Sequence, residues 1–559
     1  MTWRYRFIFC LLIFSFLGVV ARLFYWQVVK AQELSLLAES QYSGIKKISP
    51  KRGEIKTSDQ FSLASNKISY LVFANPKEVK DKIRLTSILF PMLNVDSASI
   101  SSQLSLDRVW VPLKANVESE IKNSIDALGI LGVGFEEQYT RFYPEASMSA
   151  HILGIVGKDD AGNPKGYFGI EGYYDRLLRG KEGYGVEIHD ALGRPILSRT
   201  SDTLSSLDGS NLILGIDRSI QFMVEKKLKD GVELYGAKGG MVGVVNPKNG
   251  EILAMSSLPS FDPFNYQDYD ENLYKNPFIT NTYEPGSTFK PLVMAAALES
   301  GIVTPYSKCP ICAGPISIGG YEIHTWNNEY FKDINMIDVI RHSDNTGMVY
   351  VAQKLGLDRM LSYLKKFGIG ELTGVDSQGE ALARLRPRNS WYPVDLATTG
   401  FGQGISVTPI ELLTAFSAIA NNGKIMWPHL VSSVQSSDGE GVQVVPKVQG
   451  APISEKTAKV MTEILVNAVE KGEANWARLK GYRIAGKTGT ASIPVKGHYD
   501  SSQTIASFIG FAPANDPKFV MLVVLDRPTT SIYGAETAAP IFFDIARDIL
   551  SYYNIPPSE

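Results

Sequence analysis

Residues 283–291 read Tyr-Glu-Pro-Gly-Ser-Thr-Phe-Lys-Pro. Pro285 and Gly286 are turn residues, and the run after them, 292–298, is apolar and Ala-rich and ends near Gly301, where a helix commonly stops. The stretch predicts a turn that sets Ser287 at a helix N-terminus, with Lys290 about one turn later on the same face. Pro291 is tolerated there, because a proline in the first turn gives up an N–H that has no intrahelical acceptor.

A serine hydroxyl is a weak nucleophile until a base takes its proton, and a desolvated lysine beside other cations can be neutral enough to do so. Ser287 is therefore the candidate nucleophile and Lys290 its candidate base, and the amides at the helix start favour the negative charge of an oxyanion. The pattern Ser-x-x-Lys alone carries little, since it also begins at Ser43, Ser119 and Ser362, where it reads as ordinary polar helix or loop. Two further motifs give it weight. Ser343, Asp344 and Asn345 lie between helix-like segments 336–342 and 346–355. They offer a hydroxyl to relay a proton and an amide to bond a substrate, although alone they would be an inter-helix turn. Lys487, Thr488, Gly489 and Thr490 close a strand-like run, 483–490. They offer a cation and two hydroxyls to a carboxylate, a second oxyanion N–H at Thr490, and a glycine past which a substrate backbone can come close.

This order of motifs is the signature of penicillin-binding proteins and class A β-lactamases. Residues 401–409 (FGQGISVTP), 485–491 (AGKTGTA) and 506–513 (ASFIGFAP) extend the likeness, as do 52–55 (RGEI), 141–144 (RFYP) and 169–171 (GIE) in the N-terminal half. The chain resembles a class B penicillin-binding protein, a monofunctional peptidoglycan D,D-transpeptidase, and within that class the cell-division (septal) branch. It departs at residues 56–60 (KTSDQ), where members usually continue into an Asp-Asn-Gly turn.

The resemblance implies a two-step reaction. Ser287 attacks the carbonyl between the terminal D-alanines of a stem peptide held by Lys487, Thr488, Gly489 and Thr490. D-alanine leaves with a proton from Ser343, and an amine from a neighbouring strand then attacks the acyl-enzyme. The implied partners are stem peptides as donor and acceptor, β-lactam antibiotics as covalent inhibitors, a membrane glycan polymerase of the SEDS family and other division proteins. No cofactor or metal is implied. The elongation branch is the nearest alternative, followed by a carboxypeptidase, a β-lactamase and a non-catalytic divisome scaffold.

The 559 residues have length for several domains, and a net charge of −2 gives no basic excess for nucleic acid. Arg4 and Arg6 precede an apolar run, 7–21, that continues past Arg22 through 23–29. Residues 19–21 could pass for a signal-peptide cleavage site. The continuation through Phe24, Tyr25 and Trp26 instead makes an uncleaved transmembrane anchor, with the N-terminus cytoplasmic and the aromatic cluster at the outer interface. Arg22 is expected to snorkel towards the headgroups, and the resemblance implies a partner-facing position as the alternative.

The organisation expected is an anchor over 1–31, a mixed, elongated pedestal of the dimerisation type over 32–207, and a transpeptidase domain over 208–559. The last opens with a helix, 218–232, and a hairpin, 241–246 and 251–255. It closes with strands 507–511 and 519–525 and a helix around 542–550. Strands at both ends enclosing helices predict an α+β fold with an antiparallel sheet and a helical subdomain. Cys309 and Cys312, outside the membrane in this topology, read as a local loop clip. Tyr499 and Asp500 read as residues of the loop after the third motif, explained equally by substrate contact and by loop polarity alone.

Overall fold

A computed structural model describes residues 2–188, 204–436, 438–495 and 498–557. The helix Thr2–Phe24 continues through a π-helical turn, Tyr25–Val29, giving a 28-residue apolar element. At 1.5 Å per residue it is about 42 Å long, more than the roughly 30 Å hydrocarbon core of a bilayer. The Arg22 guanidinium lies over the Trp26 ring, 5.3 Å from its centroid, and 5.9 Å from that of Tyr25. The charge is thus shared with the aromatic cluster on its own helix.

The chain forms two compact units. One comprises Met1–Lys51, Lys67–Thr140 and Gly180–Asp208, the other Arg52–Asn66, Arg141–Arg179 and Gly209–Glu559. The segment 32–207 therefore contributes to both. In the first unit, helices Lys82–Leu93 and Ser97–Ser105 bury Leu85, Leu89, Ile100 and Leu104 with Val72 and Val111. Asp81 caps the first of these helices by accepting from Arg84 N–H.

In the second unit, RGEI, RFYP and GIE meet. Glu171 is fully buried, accepting from Arg52 Nε at 2.7 Å and Arg141 Nε at 2.6 Å. Arg52 also pairs with Asp175 at 2.8 Å, and Arg141 donates to the Gly53 carbonyl at 2.7 Å. Two buried guanidiniums around one carboxylate are tolerable only with this pairing, because an uncompensated buried charge is costly.

The catalytic part of that unit begins with helix α1 (Arg218–Tyr235), capped by Asp217, and hairpin β1 (Gly239–Val245) and β2 (Ile252–Leu258). Helices α2 (Lys290–Glu299), α3 (Met336–Arg341), α4 (Asn345–Leu355), α5 (Pro409–Ala420) and α6 (Glu455–Lys471) follow. Strands β3 (Ala485–Val495), β4 (His498–Ala512) and β5 (Phe519–Asp526) and helix α7 (Ala538–Tyr552) complete it. The sheet order is β2-β1-β5-β4-β3, antiparallel throughout.

Successive side chains of a strand face opposite ways, and β5 shows the result. Met521, Val523 and Leu525 join the core under α1 and α7, whereas Val520, Leu522 and Val524 join the core of the helical side. A central strand buried on both faces reads as one unbroken apolar run.

Residues 499 and 500 are a correction to the loop reading. Tyr499 pairs with Pro494 and Asp500 with Ile493 in the β3–β4 ladder, and the side chains of both lie outside the described residues. Cys309 and Cys312 are joined by a disulfide and are fully buried.

Candidate active site

Ser287 lies on a single 3-10 turn, Gly286–Phe289, that runs directly into α2. Gly286 sits at φ +55°, and its N–H donates to Gly402 O at 3.0 Å. Gly402, at φ +81°, packs so closely that an added Cβ would lie 2.1 Å from Gly286 O. Tyr283 and Val407 exchange backbone hydrogen bonds on the same side. The YEPGSTFKP and FGQGISVTP stretches are thus two halves of one seat for the serine.

Lys290 is fully buried. Its Nζ donates to Ser343 O at 2.6 Å, Asn345 Oδ1 at 2.9 Å and Ser343 Oγ at 3.3 Å. Ser343 Oγ donates to Ser287 Oγ at 2.9 Å. Among the described hydrogen bonds, then, Lys290 reaches Ser287 through the Ser343 hydroxyl. Ser343 occupies the left-handed region, φ +54°, in the turn between α3 and α4. That conformation is strained for a residue with a Cβ, and Ser343 holds it where its hydroxyl meets Ser287. Asp344 caps α4 by accepting from Gly347 N–H at 2.8 Å, so the middle residue of the motif fixes the helix that carries Asn345.

Strand β3 brings the third motif alongside. Lys487 is buried, and its Nζ donates to Thr488 Oγ1 at 2.8 Å. Thr490 Oγ1 accepts from Gly534 N–H at 3.0 Å, which leaves its own proton to donate. A Cβ on Gly489 would meet Ser507 Oγ at 2.4 Å and Thr288 Cγ2 at 2.8 Å. The glycine is required by the protein's own packing of β3 on β4 and the serine turn, a reason additional to substrate approach.

Burial and the nearby Lys487 charge push Lys290 down to about 7, against the opposing pull of Asp344 and Glu473. Burial also lowers Lys487, and Glu473 counteracts it. A lysine near neutrality one hydroxyl from a serine is the arrangement that general-base activation needs.

Three residues at the site had no sequence signal. Glu473, just past α6, accepts the Thr488 hydroxyl at 2.9 Å. Trp326 and Tyr533 form an edge-to-face pair with centroids 5.6 Å apart. Trp326 Nε1 donates to His342 O at 3.3 Å, and Tyr533 precedes Gly534, so the pair joins the approach to Ser343 with the loop beside Thr490.

The family model of the penicillin binding protein transpeptidase domain matches residues 240–547, and that of the penicillin-binding protein dimerisation domain matches 47–214. The chain belongs to the penicillin-binding protein transpeptidase family. It is 35% identical over 568 residues to stage V sporulation protein D of Bacillus subtilis, spanning 100% of this chain and 87% of that one. It is 28% identical to the peptidoglycan D,D-transpeptidase FtsI of Escherichia coli, over 100% of this chain and 93% of the relative. Penicillin binding protein 3 of Mycobacterium tuberculosis, solved with aztreonam, superposes with a TM-score of 0.71 at 25% identity, covering 92% of this chain and 98% of the other. The α+β fold, with its antiparallel sheet and helical subdomain, is the fold of this family, and the chain is one of its transpeptidases.

Proposed function

We propose that this chain crosslinks peptidoglycan through an acyl-enzyme on Ser287, is inhibited covalently by β-lactams, and serves septal wall synthesis. The observation that carries the reading is the hydrogen-bonded line Ser287–Ser343–Lys290, with Asn345 on the same ammonium. With Lys290 neutral and the two hydroxyls turned so that Ser287 donates to Ser343 and Ser343 to Lys290, the Ser287 proton passes to Ser343 as the Ser343 proton passes to Lys290. The serine oxygen bonds the carbonyl carbon of the penultimate D-alanine. The Ser287 and Thr490 N–H groups receive the oxyanion. Collapse breaks the amide, and the departing D-alanine nitrogen takes a proton back through Ser343. An acceptor amine then repeats the sequence in reverse and releases the crosslink.

Lys487, Thr488 and Thr490 hold the donor's terminal carboxylate, while Gly489 admits the peptide. The domain limits that accompany this reading are 1–31, 32–207 and 208–559. Its topology places the N-terminus in the cytoplasm and the catalytic part outside, with a SEDS-family polymerase and other division proteins as partners. The septal assignment is supported by the likeness to FtsI over 100% of this chain.

The test is intact-mass spectrometry with benzylpenicillin, followed by peptide mapping. A lasting adduct on Ser287, absent from Ser287→Ala of unchanged thermal stability, is expected. An adduct elsewhere, or normal acylation of the variant, overturns the nucleophile. Rapid loss with drug hydrolysis would make the chain a β-lactamase.

A further inference from the structure

Lys487 is buried, yet holding a carboxylate requires it to remain a cation. Past α6 the chain turns at Gly472, where a Cβ would stand 2.2 Å from Ala468 O and 2.9 Å from Arg341 O. This tight passage delivers Glu473 to the back of β3. Glu473 Oε2 accepts the Thr488 hydroxyl at 2.9 Å, and Thr488 Oγ1 accepts in turn from Lys487 Nζ at 2.8 Å. Glu473 Oε1 is buried with no hydrogen-bond partner among the described residues. It belongs to a residue that lines, with Arg341, Lys487 and Thr488, a cavity of about 10 Å³.

The other charges around Lys487 are engaged elsewhere or share its sign. Arg341 is paired with Asp338 at 3.1 Å and His342 at 2.7 Å. Asp344 serves the cap of α4, and Lys290 repels. The His342 ring stacks on Phe331. Glu473 is thus the carboxylate placed to answer the Lys487 charge.

We propose that Glu473 is a positioning residue for the reaction: through Thr488 it keeps the Lys487 ammonium charged and in place, so that the donor carboxylate meets a cation while Lys290 serves as base. The proposal rests on the transpeptidase reading above. Burial drives Lys487 towards its neutral form and Glu473 opposes it, so removing the carboxylate lets Lys487 lose its proton at lower pH.

The experiment is the second-order rate of acylation by benzylpenicillin, whose carboxylate stands for that of the donor, measured across the pH range on the detergent-solubilised full chain. In Glu473→Gln the alkaline limb is expected to move down by about one pH unit or more, so that the rate above it falls about tenfold. Glu473→Asp, which keeps the charge, is expected to restore the wild-type limb. An unmoved limb in Glu473→Gln overturns the proposal. So does an equal loss at every pH, which would mark a packing role, or a limb in Glu473→Asp displaced as far as in Glu473→Gln. Should Glu473→Gln not fold, Thr488→Val breaks the link from its other side and must displace the same limb, and an unmoved limb there overturns the proposal equally. Absence of any adduct on wild-type Ser287 would instead sink the transpeptidase reading, while normal wild-type acylation with an unmoved limb removes only the role of Glu473.

Discussion

Lys290 and Lys487 share a residue type, a motif context and near-complete burial, and their surroundings divide the work between them. Lys290 is held down to about 7 by burial first and by the Lys487 charge second. In the proposed reaction only neutral Lys290 takes the Ser287 proton through Ser343, and that sets the sign of the pH dependence. Below about 7 the neutral fraction, and with it the acylation rate, falls about tenfold per pH unit. The check is stopped-flow or quench-flow acylation between pH 5 and 8 in wild type, read as the limiting rate. A flat profile would mean that another group takes the proton. In the proposed reaction Ser343 carries the transfer, and its left-handed conformation, unlike its place in the motif, leaves no trace in the sequence.

At the scale of elements, each motif proves to be half of a contact. Gly402 and Gly286 interlock because the loop before α5 and the turn before α2 approach with backbone against backbone. Gly402→Ala would force a Cβ to within 2.1 Å of Gly286 O and hold an alanine at φ +81°. The serine seat must then shift. The expected outcome is a loss of about 1–3 kcal/mol in urea unfolding, with a disproportionate fall in Ser287 acylation. Unaltered acylation would show that the seat is not what positions the serine. The hairpin β1–β2, the last two strands and α7 were legible because short unbroken apolar runs, a Pro-Lys-Asn-Gly turn and an amphipathic helix are local patterns. The order of the three motifs made the cluster of Ser287, Lys290, Ser343 and Lys487 legible as well. Glu473 was not, since a glutamate after Lys471 and Gly472 looks like any polar helix end, and only the turn at Gly472 directs it inward. Nor was the meeting of Arg52, Arg141 and Glu171, whose partners lie 119 and 30 residues apart and leave no periodic trace.

For the whole molecule, acid stability is set by buried groups of opposite sense within the larger unit. His151 is buried against Phe261, with Nε2 3.0 Å from Leu273 O, and burial lowers it to about 4. An unfolded histidine protonates near 6.5, so between that pH and about 4 the unfolded state binds the extra proton and the fold loses up to about 3 kcal/mol. Glu411, which caps α5 by accepting from Thr408 N–H, is raised to about 7 by burial. Its contribution has the reverse sign, present below its unfolded value near 4.5 and lost as pH rises through 7. Asp376 and Glu225, also raised by burial, act in the same direction as Glu411. Wild-type stability over pH 4–7 is therefore a partial cancellation, and a single melting curve cannot separate the terms. A difference can, because every group but one drops out of the comparison with His151→Phe. At pH 7 the variant pays for the lost contact to Leu273 O. From pH 6.5 to 4 it escapes the histidine penalty, so the stability gap is expected to move in its favour by about 3 kcal/mol. Urea unfolding of both proteins at pH 7 and pH 4 measures that movement, and a gap that stays constant would place a protonated imidazole inside the fold.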